Sequence, residues 1–303
     1  MLNANSPFYS PALSSGVLPC SCLGSIYIGS SVVEVDLALR SLLHGDWRPD
    51  QIVLVVDGPI SQELSLWVEK IRASHRSVQF LSLEHNKGLG NALSCGLSLC
   101  KHDIVVRFDT DDINAPQRLG AAYYALYSLP ELDIVGSTIY EFSSVDHLNA
   151  TRRLKRVPLS DAEIKRRMDQ VNPINHPSVA FRKSSVISVG SYENVPYFED
   201  YFLWLKARKA GLKFANINYP LVLMRRSSAL SRRYGLSYAI LEFRFVKKVL
   251  MRGLAGFSFA FFAFFRIASR LLPSRFQFLQ NFLPWRGSLQ QCIHPDFLVT
   301  ISE

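Results

Sequence analysis

The 303 residues suit one large domain, or one domain with an appendage, and 48% apolar against 19% charged content excludes global disorder. The net charge of +9 is uneven: from Arg225 to Arg286 there are twelve Lys or Arg and one acid, Glu242, for +11, which leaves −2 on the rest. A basic tail on a near-neutral body points to an anionic surface as partner and excludes a globule coated in nucleic acid.

Residues 1–20 read as a loose leader, rich in Ser, Pro and Asn at the start. The first Lys or Arg is Arg40, so the basic n-region of a signal peptide is not expected. The cysteines, Cys20, Cys22, Cys95, Cys100 and Cys292, form no C-x-x-C pair. That argues for reduced cytosolic thiols and against a disulfide framework or zinc site.

The first half then alternates between two periods. "GSIYIG" around Ile26, "QIVLVVDG" (Gln51 to Gly58), "VQFLSL" (Val78 to Leu83), "DIVVRFD" (Asp103 to Asp109) and "DIVGSTIYEF" (Asp133 to Phe142) predict buried strands. Helical patterns lie between them, over Val33 to Leu43, Gln62 to Ala73, Leu89 to Cys100 and Gln117 to Tyr127. Strand and helix in alternation predict an α/β fold with a mostly parallel central sheet flanked by helices. Ligands of such sheets bind beyond the carboxyl ends of the strands, where Asp57 and Asp109 fall.

The second half is less regular. "NHPSVAFRK" holds one strand-like run, "EDYFLWLKARKAG" reads as a helix from Glu199, and "LKFANI" and "PLVLMRR" read as two short strands. From Ser237 the chain is helical, aromatic and basic. Gly253 to Phe265 is uncharged for 13 residues. That is short of the roughly 18 to 20 needed to span a bilayer, so an interfacial anchor is expected. The competing reading is a core helix with a solvated basic face. Residues 21–232 are thus expected to form the main domain and 233–303 a membrane-associating tail.

Asp109-Thr110-Asp111-Asp112 crowds carboxylates at a strand end. An EF-hand loop beginning at Asp109 would need an oxygen ligand at Ile113, Gly at Asn114 and Glu at Gly120, and all three fail. A solvated turn is one remaining reading. The other is a site for Mn2+ or Mg2+, which take one or two carboxylates plus substrate phosphate oxygens. "NKGLGNALSCGL" (Asn86 to Leu97) adds a Gly-rich helix start suited to close approach of an anionic or nucleotide ligand, though it matches no dinucleotide or P-loop pattern. Glu199-Asp200 in a first turn serves either as dipole compensation or as an acid pair for proton transfer. His176 is either a loop histidine or part of an acceptor cleft. Arg225 and Arg226 either clamp a diphosphate or begin the basic tail, the latter better for Arg226. Trp204 and Tyr197-Phe198 either stack on a sugar ring or belong to the core.

In order, V-V-D-G, N-x-G-x-x-x-A, D-x-D-D with P-x-R-L after it, N-H-P and E-D-x-x-L-W resemble the family 2 glycosyltransferases, in particular bacterial amylovoran-type members that build exopolysaccharide or O-antigen units. The resemblance covers roughly Ser25 to Arg233 and implies a GT-A fold, a nucleotide-sugar donor, a divalent metal and inversion at the anomeric carbon. It implies that Asp57 bonds the base and Lys87 lies near base or ribose. Asp109 would approach the ribose, and Asp111 would ligate the metal. Asp112 would support that ligand or face the acceptor. Asp200 would be the general base, with Glu199 orienting it or an acceptor hydroxyl. Ile28 stands where members usually carry Asn or a similar polar residue. The expected enzyme is peripheral at the cytoplasmic face of the inner membrane and acts on a lipid-linked or growing glycan. The rivals are a sugar-nucleotide nucleotidyltransferase, which wants a Gly-rich phosphate loop near the first strand, and a non-catalytic membrane-bound sugar-binding module.

Overall fold

The computed structural model describes residues 16–143, 153–226 and 235–271, and the backbone of 289–290. Its first half is β1 (Val17–Ile26), α1 (Val32–Leu43), β2 (Arg48–Asp57), α2 (Gln62–Ser74), β3 (Val78–Leu83), α3 (Leu89–Leu99) and β4 (Ile104–Arg107). β3, β2, β1 and β4 lie side by side, all parallel. Gln51 to Gly58 are all buried, as a strand covered on both faces requires. α2 shows why its residues form a helix. The Ser61 hydroxyl accepts the Leu64 N–H, and Leu64, Trp67, Val68 and Ile71 put one apolar stripe against the sheet.

β1 starts inside the stretch assigned to the leader. Leu18 and Cys20 are buried there against β2, so sheet pairing rather than local composition sets the boundary.

After β4 come β5 (Ile113–Asn114), α4 (Arg118–Ser128), β6 (Ile134–Phe142), β7 (Arg153–Lys155), α5 (Asp161–Arg167), a 3-10 turn (His176–Ser178), β8 (Ala180–Arg182), α6 (Lys183–Ser188), α7 (Glu199–Lys209) and β9 (Phe214–Arg225). β8 fits antiparallel between β4 and β6, and β9 runs parallel to β6 and antiparallel to β5. β10 (Leu289–Gln290) pairs antiparallel with β7. The two strands expected from Leu212 onward are one. Pro220 falls at a register shift opposite Thr138, where a residue without an N–H is tolerated.

The tail forms α8 (Leu236–Met251) and α9 (Phe257–Arg270). The core-helix reading holds for its inner face. Tyr238, Phe245, Val249, Phe259 and Ala263 share the core cluster of α7 residues Phe202 and Trp204. Glu242 and Arg266, both buried, pair at 2.8 Å between the two helices. The outer face leaves Met251, Phe257, Phe261, Phe264 and Phe265 exposed, Phe257 by 85%. Among the described residues no helix is long and apolar enough to cross a membrane. The tail beyond Leu271, Leu289–Gln290 apart, lies outside the described residues, as do the leader up to Ser15 and Cys292.

Candidate active site

β1, β2 and β4 deliver their carboxyl ends to one edge of the sheet, beside the start of α3. Asp57 closes β2 and is 4% exposed. Its Oδ1 accepts the Lys87 N–H at 2.7 Å and its Oδ2 accepts the Gly88 N–H at 3.0 Å. The turn depends on Gly58, at φ +82°, where a Cβ would lie 2.4 Å from the Asn86 nitrogen. Asp57 therefore fastens the Gly-rich segment to the sheet. The Lys87 side chain is exposed.

The acid loop follows β4. Buried Arg107 grips both carboxylate oxygens of Asp109, and Thr110 donates to the Ser25 carbonyl at 3.0 Å. Asp112 is 3% exposed. Its Oδ1 accepts the Arg225 N–H at 2.8 Å, while its Oδ2 is buried with no hydrogen-bond partner. Ligand oxygens of Asp109, Asp111 and Asp112 all lie within 4.8 Å of one another. Burial, then the neighbouring Asp109, pushes Asp111 up to about 6. Burial followed by Asp109 and Asp111 raises Asp112 well above the usual carboxylate range. An all-carboxylate set with an orphaned buried oxygen fits a hard divalent cation such as Mn2+ or Mg2+. The structure brings Asp112 into that set beside Asp111.

Arg225 also reaches the site. Its Nε lies 3.0 Å from Glu34 Oε1 and 3.2 Å from the Asp111 carbonyl, and its guanidinium stacks over Phe142 at 4.9 Å. Arg226 pairs instead with Glu141 at 3.8 Å. Sequence reasoning gave no role to Arg107, Glu34 or Arg118. Arg118, the arginine of P-x-R-L, is buried and donates to the Arg107 carbonyl, the Asn114 side chain and the Pro177 carbonyl. It joins the acid loop to the N-H-P turn, which gives those two motifs a shared physical reason.

A cavity of about 380 Å³ opens between these loops. Ser25, Tyr27, Ser30, Ser31, Glu34, Asp57, Asn86, Gly88, Asp109 and Asp111 are among the residues that line it. Ile28 turns outward and is 62% exposed, so the polar wall at this corner comes from Ser30, Ser31 and Glu34.

Glu199 and Asp200 open α7 from the second half of the chain. Burial, then Asp200, pushes Glu199 up to about 7. Asp200 accepts the Asn172 side-chain amide at 2.6 Å and the Tyr201 N–H at 2.7 Å. Gly90 brings α3 against this helix: a Cβ there would lie 2.2 Å from the Glu193 carbonyl oxygen and 3.2 Å from the Glu199 Cβ. His176 is buried beneath this region rather than on the cavity wall. Its Nε2 lies 3.1 Å from the Tyr192 hydroxyl, and burial, then Arg107, holds its pKa well below the usual histidine range. Trp204 is fully buried and belongs to the core.

A family model described as Glycosyl transferase family 2 matches residues 34–190. Amylovoran biosynthesis glycosyltransferase AmsE of Erwinia amylovora is 37% identical over 262 residues, 86% of this chain and 97% of its own. UDP-Gal:alpha-D-GlcNAc-diphosphoundecaprenol beta-1,3-galactosyltransferase of Escherichia coli is 34% identical over 261 residues, 85% of this chain and 93% of its own. Among solved structures, S. aureus TarS 1-349 in complex with UDP-GlcNAc superimposes with a TM-score of 0.56 at 17% identity, covering 74% of this chain and 64% of that one. The mannosyltransferase PcManGT from Pyrobaculum calidifontis, in complex with GDP-Man and Mn2+, gives 0.53 at 14% identity, covering 80% and 67%. At such identities these two likenesses speak for the GT-A fold alone.

Proposed function

The chain belongs to glycosyl transferase family 2, and on that premise we propose a metal-dependent, inverting transfer of a sugar from a UDP-sugar to a lipid-linked or growing glycan. One observation carries the reading. The acid loop, with its orphaned Asp112 oxygen, opens on the same cavity as Asp57 and the start of α3. A nucleoside diphosphate laid between them has its base toward Asp57, its ribose toward Asp109 and its phosphates toward Asp111.

Asp111 and Asp112 would hold the cation, which when bound offsets charge growing on the departing diphosphate. Arg225 adds a positive charge at the same end. The attacking sugar hydroxyl is a poor nucleophile and needs a base as it attacks. Asp200 takes its proton. Asn172 orients that carboxylate, and the second carboxylate oxygen faces the first turn of α7. Glu199 holds the acceptor hydroxyl in line. Inversion needs that base on the sugar face opposite the departing diphosphate, the place this reading gives to Asp200.

The acceptor assignment takes its support from the name of the E. coli relative, a galactosyltransferase acting on a lipid diphosphate. The exposed phenylalanines of α9 and the basic residues beside them support peripheral binding at the cytoplasmic face of the inner membrane.

The test is transfer from UDP-galactose, with Mn2+, to a short-chain GlcNAc-diphosphate lipid. Asp111→Asn and Asp200→Asn should each lower kcat by about 100-fold or more without loss of fold. Wild-type turnover by Asp200→Asn removes the base assignment, and full activity in EDTA removes the metal.

A further inference from the structure

Two aromatic residues stand directly before the acid pair, and the Phe198 backbone is bonded within its own segment, its N–H to the Val195 carbonyl at 2.8 Å. Tyr197 has φ +69°, a left-handed conformation that a bulky residue keeps only when its surroundings impose it. Phe198, the residue before α7, has no side-chain hydrogen bond to the first turn. What faces both is α8, far downstream in the chain. The Phe198 ring stacks on Phe245 with centroids 4.6 Å apart and planes within 4°. Tyr238 meets Tyr197 at 5.5 Å and Phe198 at 5.6 Å. Phe245 also reaches the Tyr201 ring, at 5.3 Å. α8 is itself anchored. Glu242 ties it to Arg266 of α9, and Lys248 pairs with Glu193, in the loop before α7, at 3.0 Å.

We propose that Phe245 and Tyr238 are positioning residues for sugar transfer: by clamping Tyr197 and Phe198 they aim Glu199 and Asp200 at the acceptor hydroxyl. This rests on the reading of those two carboxylates as the acid pair. A helix start without a capping side chain frays, and this first turn carries both groups that must be aimed. Ring stacking from α8 satisfies no N–H, but it restrains the two residues that lead into the helix. The C-terminal helices thus support the reaction although none of their residues lines the cavity. The competing account is plain core packing, in which Phe245 matters for folding alone.

The two accounts part in kinetics. With UDP-galactose, Mn2+ and the short-chain lipid acceptor, full-length Phe245→Ala should lose about tenfold or more in kcat. KM for UDP-galactose and calorimetric Kd for UDP with Mn2+ should stay within about two-fold of wild type. Its pH–rate profile should shift, because the carboxylates change surroundings. Phe245→Leu, which keeps bulk but not the stack, should fall between. If Phe245→Ala does not fold, Phe245→Leu decides by the same comparison. Wild-type kcat in the folded variant overturns the proposal, as does a parallel fall in kcat and donor affinity with an unmoved pH profile. Amide exchange provides a second measurement. The Phe202 N–H, bonded to the Phe198 carbonyl at 2.8 Å, should lose protection in Phe245→Ala, while the Ala92 N–H of α3 keeps its own. A wild-type chain that transfers no sugar refutes the proposed function. Unchanged protection at Phe202 refutes the clamp.

Discussion

Replacing Glu199 with Gln should make the protein more stable, and more so at alkaline pH. The carboxyl sits beside Asp200 in a buried first turn, with Arg107 and Asp109 the next charges it feels, and its pKa is pushed from 4.5 to about 7. A folded-state pKa above the unfolded one means that the proton favours folding. That contribution is complete below pH 4.5 and is lost as pH rises through 7. A shift of about 2.5 units corresponds to about 3 kcal/mol at full ionisation. Glutamine keeps the shape of the protonated acid and loses nothing on deprotonation. Its advantage should grow from about 1 kcal/mol at pH 5.5 to about 3 kcal/mol at pH 8, or roughly 5 °C in Tm between the two. Urea unfolding in EDTA at both pH values measures this without metal. An equal difference at pH 5.5 and pH 8, or a variant weaker than wild type at pH 8, refutes the assignment of Glu199 as a buried carboxyl held out of its comfortable range. Transfer should fall in the same variant if Glu199 aligns the acceptor hydroxyl as proposed.

Glu242→Ala removes the acid that pairs with both Arg266 and Arg270 on the inner face of the tail. It should cost about 3 to 5 kcal/mol in urea unfolding, because the buried Arg266 guanidinium loses its carboxylate and keeps only the Gln170 carbonyl. On the outer face, Phe257→Ser combined with Phe264→Ser should weaken sedimentation with anionic vesicles by about tenfold or more. Turnover on the short-chain acceptor should stay unchanged in that double variant. Binding by the wild-type protein should also weaken as salt is raised, whereas equal binding to zwitterionic vesicles would separate the tail from anionic lipid.

β2, β3 and β4 were legible as short apolar runs and the helices as repeats every three or four residues, whereas of β1 only its end near Ile26 was read and Tyr27 to Gly29, expected in the strand, lie beyond it. β3 matches the expected span, and α1, α2, α3 and α4 match within a residue or so at each end. β9 read as two strands because Pro220 interrupts the pattern, and only pairing with β6 shows that a bulge absorbs it. α5 carried a signal that went unused: Ser160 and Glu163 form a reciprocal capping box. In the site, the carboxylates Asp57, Asp109, Asp111 and Glu199-Asp200 stood out by place and spacing. Arg107, Arg118 and Glu34 did not, because their roles arise from contacts made across the fold. Arg118 looks like one more charge near the start of a helix until the Arg107 and Pro177 carbonyls come to meet it. His176 and Trp204 were ambiguous for the same reason: neighbours, not spacing, decide whether such a ring faces water.

The contact between Arg225 and Asp112 has a consequence for synthesis. A chain growing from its amino terminus makes Asp109, Asp111 and Asp112 early, yet the backbone donor that holds Asp112 is residue 225 and comes much later. Until β9 has been made and paired with β6, the loop lacks that donor and lacks the guanidinium that Arg225 brings to Glu34. Glu199 and Asp200 at the start of α7 precede β9, so they too are translated before the acid loop is locked. β9 is therefore also the last support of the acid loop to be made, and a ribosome-bound fragment ending before it carries Asp57, Asp109, Asp111, Asp112, Glu199 and Asp200 in an unfinished arrangement.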